Sequence, residues 1–196
     1  MSEVSRPVSA AAELPTVTVL IPTYQEASAI DACLDAVERQ TYPAIVETLV
    51  VDGGSDDGTQ AMAAAHPGVT VLDNPGRIQS AALNIGIDAA VGEVLVRVDG
   101  HCVIADDYVE RCVAALDESG AAMVGGGMTP VAHGAIQEGI ADAMASRFGA
   151  GPARFHTGGE AGWVDTVYRG AYRRDVVREV GGYATDVGVN EDSELA

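Results

Sequence analysis

The chain has 196 residues, with 29 Asp or Glu against 11 Lys or Arg and a formal net charge of −18. At this length, 47% hydrophobic and 20% charged residues describe one folded, well-cored domain and exclude global disorder. So acidic a chain, with no basic groove, excludes nucleic acid as a partner; the acidity reads as a solvated surface.

Residues 1–15 lack the apolar centre of a signal peptide and are expected to form a flexible tail, followed by one domain over 16–196. "TVTVLIP" (Thr16–Pro22) reads as a buried strand stopped by proline, with an amphipathic helix after it over roughly Glu26–Arg39. "IVETLVVD" (Ile45–Asp52) is a second strand, and "GGSDDGT" turns the chain into a helix near Gln60–Ala65. "VTVLD" (Val69–Asp73) is a third. A helix over Ile78–Ala90 leads to a fourth strand at Glu93–Asp99, then a helix near Ala105–Glu118 and a strand within "AAMVGGGMTP". Near-continuously apolar strands separated by helices predict an α/β fold, a mostly parallel Rossmann-like sheet with helices on both faces.

Beyond Pro130 a helix is expected near Ala135–Arg147, then a long glycine-rich loop through His156. A short strand in "WVDTVY", a basic helix start in "YRRDVVREV" and an acidic "NEDSELA" follow. Cys33, Cys102 and Cys112 have no CxxC spacing and read as free thiols of a reducing, cytoplasmic compartment. No run approaches the roughly 18–20 apolar residues of a membrane span.

Ligands of an open α/β sheet collect beyond the carboxyl ends of its strands. Thr23, Tyr24, Gln25 and Glu26 follow the first strand; Asp52, Gly53, Gly54, Ser55 and Asp57 the second; Asp99 and His101 the fourth. Several carboxylates arriving at one sheet edge repel one another unless a cation or a donor-rich ligand sits among them. Asp57 also suits helix capping. Asp99 and His101 straddle a glycine, so both side chains can leave one tight turn, and carboxylate with imidazole is a partial shell for Mn²⁺. The alternative is a loop histidine beside a capping aspartate.

The ordered set "VTVLIPTYQEASAIDACLDAVERQTYP", "ETLVVDGGSDDGT" and "NPGRIQSAALNIGIDAAVGEVLVRVDGHC" resembles the nucleotide-binding half of the family 2 glycosyltransferases, which adopt the GT-A fold. It is most similar to bacterial exopolysaccharide enzymes of the succinoglycan type, which carry Arg-x-Asp-x-His in place of Asp-x-Asp. The resemblance implies a nucleotide-binding half over 16–104 and an acceptor half over 105–196. It implies that Pro22, Thr23, Tyr24 and Glu26 hold base and ribose, that Asp52 accepts a hydrogen bond from the base, and that Ser55 belongs to the same loop. Asp99 is then placed near ribose, phosphate and metal, and His101 supplies the further ligand to Mn²⁺ or Mg²⁺. Asn84 lies in "ALNIGIDAAVGE", where the usual arginine is Leu83; Arg77, earlier in the same segment, is a candidate charge near the diphosphate.

In the acceptor half the resemblance makes Asp192 the general base and Glu191 its helper, and Trp163 and Asp165 candidate acceptor contacts. His66 and His133 read as surface residues. The function implied is inverting transfer from a nucleotide-sugar donor, a UDP-sugar, to a saccharide or lipid-linked acceptor in cell-surface polysaccharide synthesis. The rival is a non-catalytic nucleotide-binding remnant. Relatives continue past the acid pair, so the chain is expected to be truncated, with membrane association at the inner face of the cell membrane through a region beyond residue 196.

Overall fold

The computed structural model describes residues 13–127, 162–164, 167 and 169–185. In chain order these form β1 (Val17–Thr23), α1 (Ile30–Glu38), β2 (Ile45–Asp52), α2 (Thr59–Ala65), β3 (Val69–Asp73), α3 (Gln79–Ala89) and β4 (Val94–Arg97). They continue with α4 (Tyr108–Ser119), β5 (Met123–Val124), β6 (Gly170–Arg173) and α5 (Arg174–Glu179). The sheet runs β3-β2-β1-β4-β6-β5, with β1 parallel to β2 and β4, β2 parallel to β3, and β6 antiparallel to both β4 and β5.

Successive strand side chains point to opposite faces, so a strand covered on both sides must be apolar at every position. Val17, Val19 and Ile21 of β1, Val50 of β2 and Val94 and Val96 of β4 pack with Ile30, Cys33, Leu34 and Val37 of α1 and Val109, Val113 and Leu116 of α4. Leu20, Leu49, Val51 and Leu95 pack on the other face with Leu83 and Ile87 of α3 and Val177 of α5. In α1 the buried positions fall at the i, i+3, i+4, i+7 spacing of one helix face.

The antiparallel arm is fastened by arginines. Arg178 of α5 donates to the carbonyls of Ile87 and Asp88 at 2.9 Å, Arg174 to Ala90, and Arg173 to Leu116 at 2.9 Å. Cations are thus set on carbonyls at the C-terminal ends of α3 and α4. This is the use made of the basic stretch "YRRDVVREV".

Several boundaries differ from the sequence expectation. Helix α1 begins later because residues 27–29 form a turn, in which Ala29 and Ile30 both donate to the Glu26 carbonyl at 2.9 Å. Strand β4 ends at Arg97, since Cys102 N–H turns back onto the Asp99 carbonyl at 2.8 Å. An antiparallel strand forms at "GAYR", and of the stretch "WVDTVY" expected as a strand, the described residues Trp163, Val164 and Val167 belong to no strand. The helix expected near 135–147, the loop with His156, and His133, Asp165, Glu191 and Asp192 lie outside the described residues. Among the described residues no helix is long and apolar enough to cross a membrane.

Candidate functional site

Three loops meet beyond the carboxyl ends of β1, β2 and β4. The first two are stitched together by the β2–α2 loop. Gln25 N–H donates to Ser55 Oγ at 2.8 Å, Glu26 N–H to Thr59 Oγ1 at 2.9 Å, and Ala27 N–H to Asp57 Oδ2 at 2.9 Å. The Thr59 hydroxyl and the Ala27 amide hold the Asp57 carboxyl below its ordinary range. Asp57 also accepts from Thr59 N–H at 3.0 Å, so it caps the α2 entry and bridges the loops at once.

Asp52 is the centre of this arrangement. Its Oδ1 accepts from Gly54 N–H, Ser55 N–H and Gln60 Nε2 at 2.9, 2.7 and 2.7 Å, and its Oδ2 from Thr23 and Ser55 hydroxyls at 3.0 and 2.6 Å. A carboxylate offers about four lone-pair sites, and all are engaged. Burial alone would raise this acid; the donors from Ser55, Gln60 and Thr23 outweigh it and hold Asp52 below its ordinary value. Fully buried, Asp52 anchors the loop that carries Ser55. Ser55 is part of the same network, and Thr23 is 6% exposed with its hydroxyl on Asp52. Pro22 is a buried β1 residue opposite Val51.

Tyr24 is the exposed member of the first loop, its ring lying over Gly53. A Cβ at residue 53 would stand 3.2 Å from Tyr24 Cδ2, so glycine leaves room for the ring there. Beside it, the Arg77 guanidinium lies over Gly54. Gln25, Arg77 and Arg169 are the non-glycine residues with left-handed backbone among the described residues, at φ of 58°, 56° and 50°. All three border these loops, and each conformation costs roughly 1–2 kcal/mol that the surrounding contacts must offset.

At the end of β4, Asp99 is 7% exposed and sits between two guanidinium groups. Arg97 Nε donates to Oδ1 at 3.1 Å, and Arg169 Nε is 2.7 Å from Oδ2. Arg169 also reaches Cys102 Sγ. His101 Nδ1 is 2.8 Å from Glu26 Oε1, with the imidazole 55% exposed. The cysteines are free thiols, and burial pushes Cys33 up to about 12 and Cys112 up to about 11, which leaves no activated thiolate for nucleophilic chemistry.

Two further residues make contacts within the fold. Asn84 donates to the Tyr183 carbonyl and accepts from Tyr183 N–H, both at 2.8 Å, so its amide joins α3 to the segment after α5. His66, expected as a surface residue, is 14% exposed and lies between Glu38 and Asp31 at 3.0 and 3.2 Å. Trp163 is 81% exposed.

Donor chemistry decides which groups suit a divalent cation. The two arginines occupy one position on each Asp99 oxygen and leave the other, and His101 keeps Nε2; one oxygen and one nitrogen suit Mn²⁺ better than Mg²⁺. These residues fit. Asp35, Glu38 and His66 also bring ligand atoms within 4.8 Å of one another, but on the surface formed by α1 and the end of α2, with both His66 nitrogens already engaged.

The family model described as Glycosyl transferase family 2 matches residues 18–181, a span containing all three loops. The chain belongs to this family. It is 35% identical over 183 residues to the succinoglycan biosynthesis protein ExoA of Rhizobium meliloti (strain 1021), covering 90% of this chain and 56% of that protein. Glycosyltransferase AglE of Haloferax volcanii is 40% identical over 119 residues, 58% of this chain and 39% of AglE. The chain thus spans about half the length of the relatives it matches. Among solved structures, the mannosyltransferase PcManGT from Pyrobaculum calidifontis, in complex with GDP-Man and Mn²⁺, superposes with TM-score 0.67 at 27% identity, over 97% of this chain and 54% of that one. Residues 1–349 of TarS from S. aureus, in complex with UDP, give TM-score 0.68 at 16% identity over 92% of this chain and 53% of that one, a likeness of fold. The fold is GT-A, as the sequence implied.

Sequence reasoning missed Arg169 and Gln60. The signal for Arg169 is its rarity: with 11 basic residues against 29 acidic ones, an arginine flanked by tyrosine and glycine after a loop is not surface decoration.

Proposed function

We propose that the chain is an inverting glycosyltransferase domain that moves a sugar from a nucleotide-sugar, a UDP-sugar, to a saccharide or lipid-linked acceptor in cell-surface polysaccharide synthesis. The observation that carries this reading is the meeting of the Tyr24, Gly53–Gly54 and Asp99–His101 loops at one sheet edge, in a family 2 chain. Support for a nucleotide diphosphate with a metal comes from the GDP-Man and Mn²⁺ of PcManGT and the UDP of TarS. Support for the polysaccharide comes from ExoA.

In this reading Tyr24 offers an aromatic face to the base, and Arg77 and Arg169 face the diphosphate. Asp99 and His101 hold Mn²⁺ or, less well, Mg²⁺, which when bound stabilises charge on the leaving diphosphate. Asp192 takes the proton from the acceptor hydroxyl as its oxygen attacks the anomeric carbon, with Glu191 placing the acceptor. Incubation with UDP- and GDP-sugars, Mn²⁺ and an oligosaccharide acceptor tests the reading. Release of nucleoside diphosphate coupled to product, abolished in Asp192→Asn, is expected. Nucleotide binding without transfer from any donor would instead mark a non-catalytic remnant.

A further inference from the structure

We infer that Glu26 is a positioning residue for His101, fixing its imidazole so that Nε2 presents a lone pair to the cation carried with the diphosphate. This rests on the donor-site reading above, but gives Glu26 a task other than holding base or ribose.

A neutral imidazole has one donor and one acceptor nitrogen, and a carboxylate only accepts. The 2.8 Å contact between His101 Nδ1 and Glu26 Oε1 therefore puts the proton on Nδ1 and the lone pair on Nε2. The carboxylate stands on a fixed base. Glu26 N–H is held by the hydroxyl of fully buried Thr59, and its carbonyl receives Ala29 and Ile30. The turn that carries His101 is pressed against the same residue: a Cβ at Gly100 would stand 3.2 Å from Glu26 Cγ and 2.9 Å from Thr23 Cγ2. Glycine is thus the residue that lets the two loops close. Exposure agrees with the direction, the Glu26 side chain being 21% exposed and the imidazole 55%. A carboxylate behind a ligating histidine orients the ring and raises its basicity, and its loss typically weakens metal binding about 10–100-fold.

Two measurements test this. Nitrogen-15 NMR of the metal-free protein, taken to an alkaline pH beyond which the ring-nitrogen signals no longer move, reads the His101 tautomer. Calorimetry with MnCl₂ in the presence of UDP reads metal affinity. Wild type is expected to hold the Nδ1–H tautomer. Glu26→Gln, which keeps an acceptor oxygen, is expected to retain the tautomer and most of the affinity. Glu26→Ala is expected to shift the ring toward Nε2–H and lose affinity about 10–100-fold. A Glu26→Ala protein with unchanged tautomer or unchanged Mn²⁺ affinity overturns the inference. A wild type with the Nδ1–H tautomer but no Mn²⁺ binding beside UDP overturns the donor-site reading itself, and the metal-directed role with it.

Discussion

Arg169 and Asp99 meet in a 2.7 Å ion pair that ties the residue before β6 to the turn after β4. The contact joins the antiparallel arm to the parallel part of the sheet, and it sits where the candidate diphosphate site opens. With Arg97 on the other oxygen, the carboxylate is balanced by two cations inside a chain of net charge −18.

Arg169→Ala is expected to loosen this joint. Arg97 still compensates Asp99, so the loss of stability is about 1–2 kcal/mol, below the cost of stripping a buried ion of every partner. UDP affinity falls as well. Arg169→Lys restores little, because a single ammonium does not reproduce the planar fork that touches both Asp99 and Cys102. Urea unfolding and UDP calorimetry on both variants check this.

Asp52→Asn is expected to cost about 2–4 kcal/mol. The new amide nitrogen would face groups that already donate to that carboxylate, namely Ser55, Gln60 and Thr23. The wild-type carboxyl lies below its ordinary 3.8 in the fold. Its stabilisation is therefore present above that value and is lost as pH falls through the lower folded one. Urea midpoints across the acid range should slope less steeply in the variant than in wild type, the remaining slope coming from other carboxylates such as Asp57.

His66 gives the opposite sign. Burial lowers its pKa, but the Glu38 and Asp31 carboxylates more than offset this and raise it above the ordinary 6.5. Its contribution is full below the unfolded value and fades as pH rises through the folded one. His66→Gln should remove a loss of thermal stability that wild type shows on going from about pH 6 to pH 8.

Gly100→Ala separates the site from the fold. The added methyl meets Thr23 and Glu26 side chains, which can give way at a cost of about 1–2 kcal/mol. Glu26 and His101 are pushed apart, so Mn²⁺-dependent UDP binding should fall about tenfold, at the lower end of the range for a lost supporting carboxylate. Calorimetry beside a thermal melt distinguishes the two effects.

What the sequence made legible follows from range. Continuous apolar runs such as "TVTVLIP" announce strands covered on both faces, and the stop at Asp99-Gly-His101 announces a loop at the sheet edge. These are local patterns. The roles of Asp52, Asn84 and Glu26 depend on partners far along the chain: Thr23 for Asp52, Tyr183 for Asn84 and His101 for Glu26. Spacing cannot show which partners the fold gives a carboxylate at a strand end. Asp52 and Asp99 look alike as letters, yet one accepts five bonds and the other is flanked by two arginines. Arg169 is hidden for the same reason, since its partner lies far back along the chain, in the turn after β4.

The charges around the metal position sharpen the central claim. Asp99 is already paired with Arg97 and Arg169, so the cation finds little net negative charge at that carboxylate until a diphosphate brings its own. The most direct measurement is calorimetric titration of UDP with and without Mn²⁺, on wild type and on His101→Ala. The account predicts UDP binding that Mn²⁺ strengthens, weak Mn²⁺ binding without UDP, and loss of the Mn²⁺-dependent gain in His101→Ala. Absence of UDP binding by the folded wild type, with or without Mn²⁺, would contradict it.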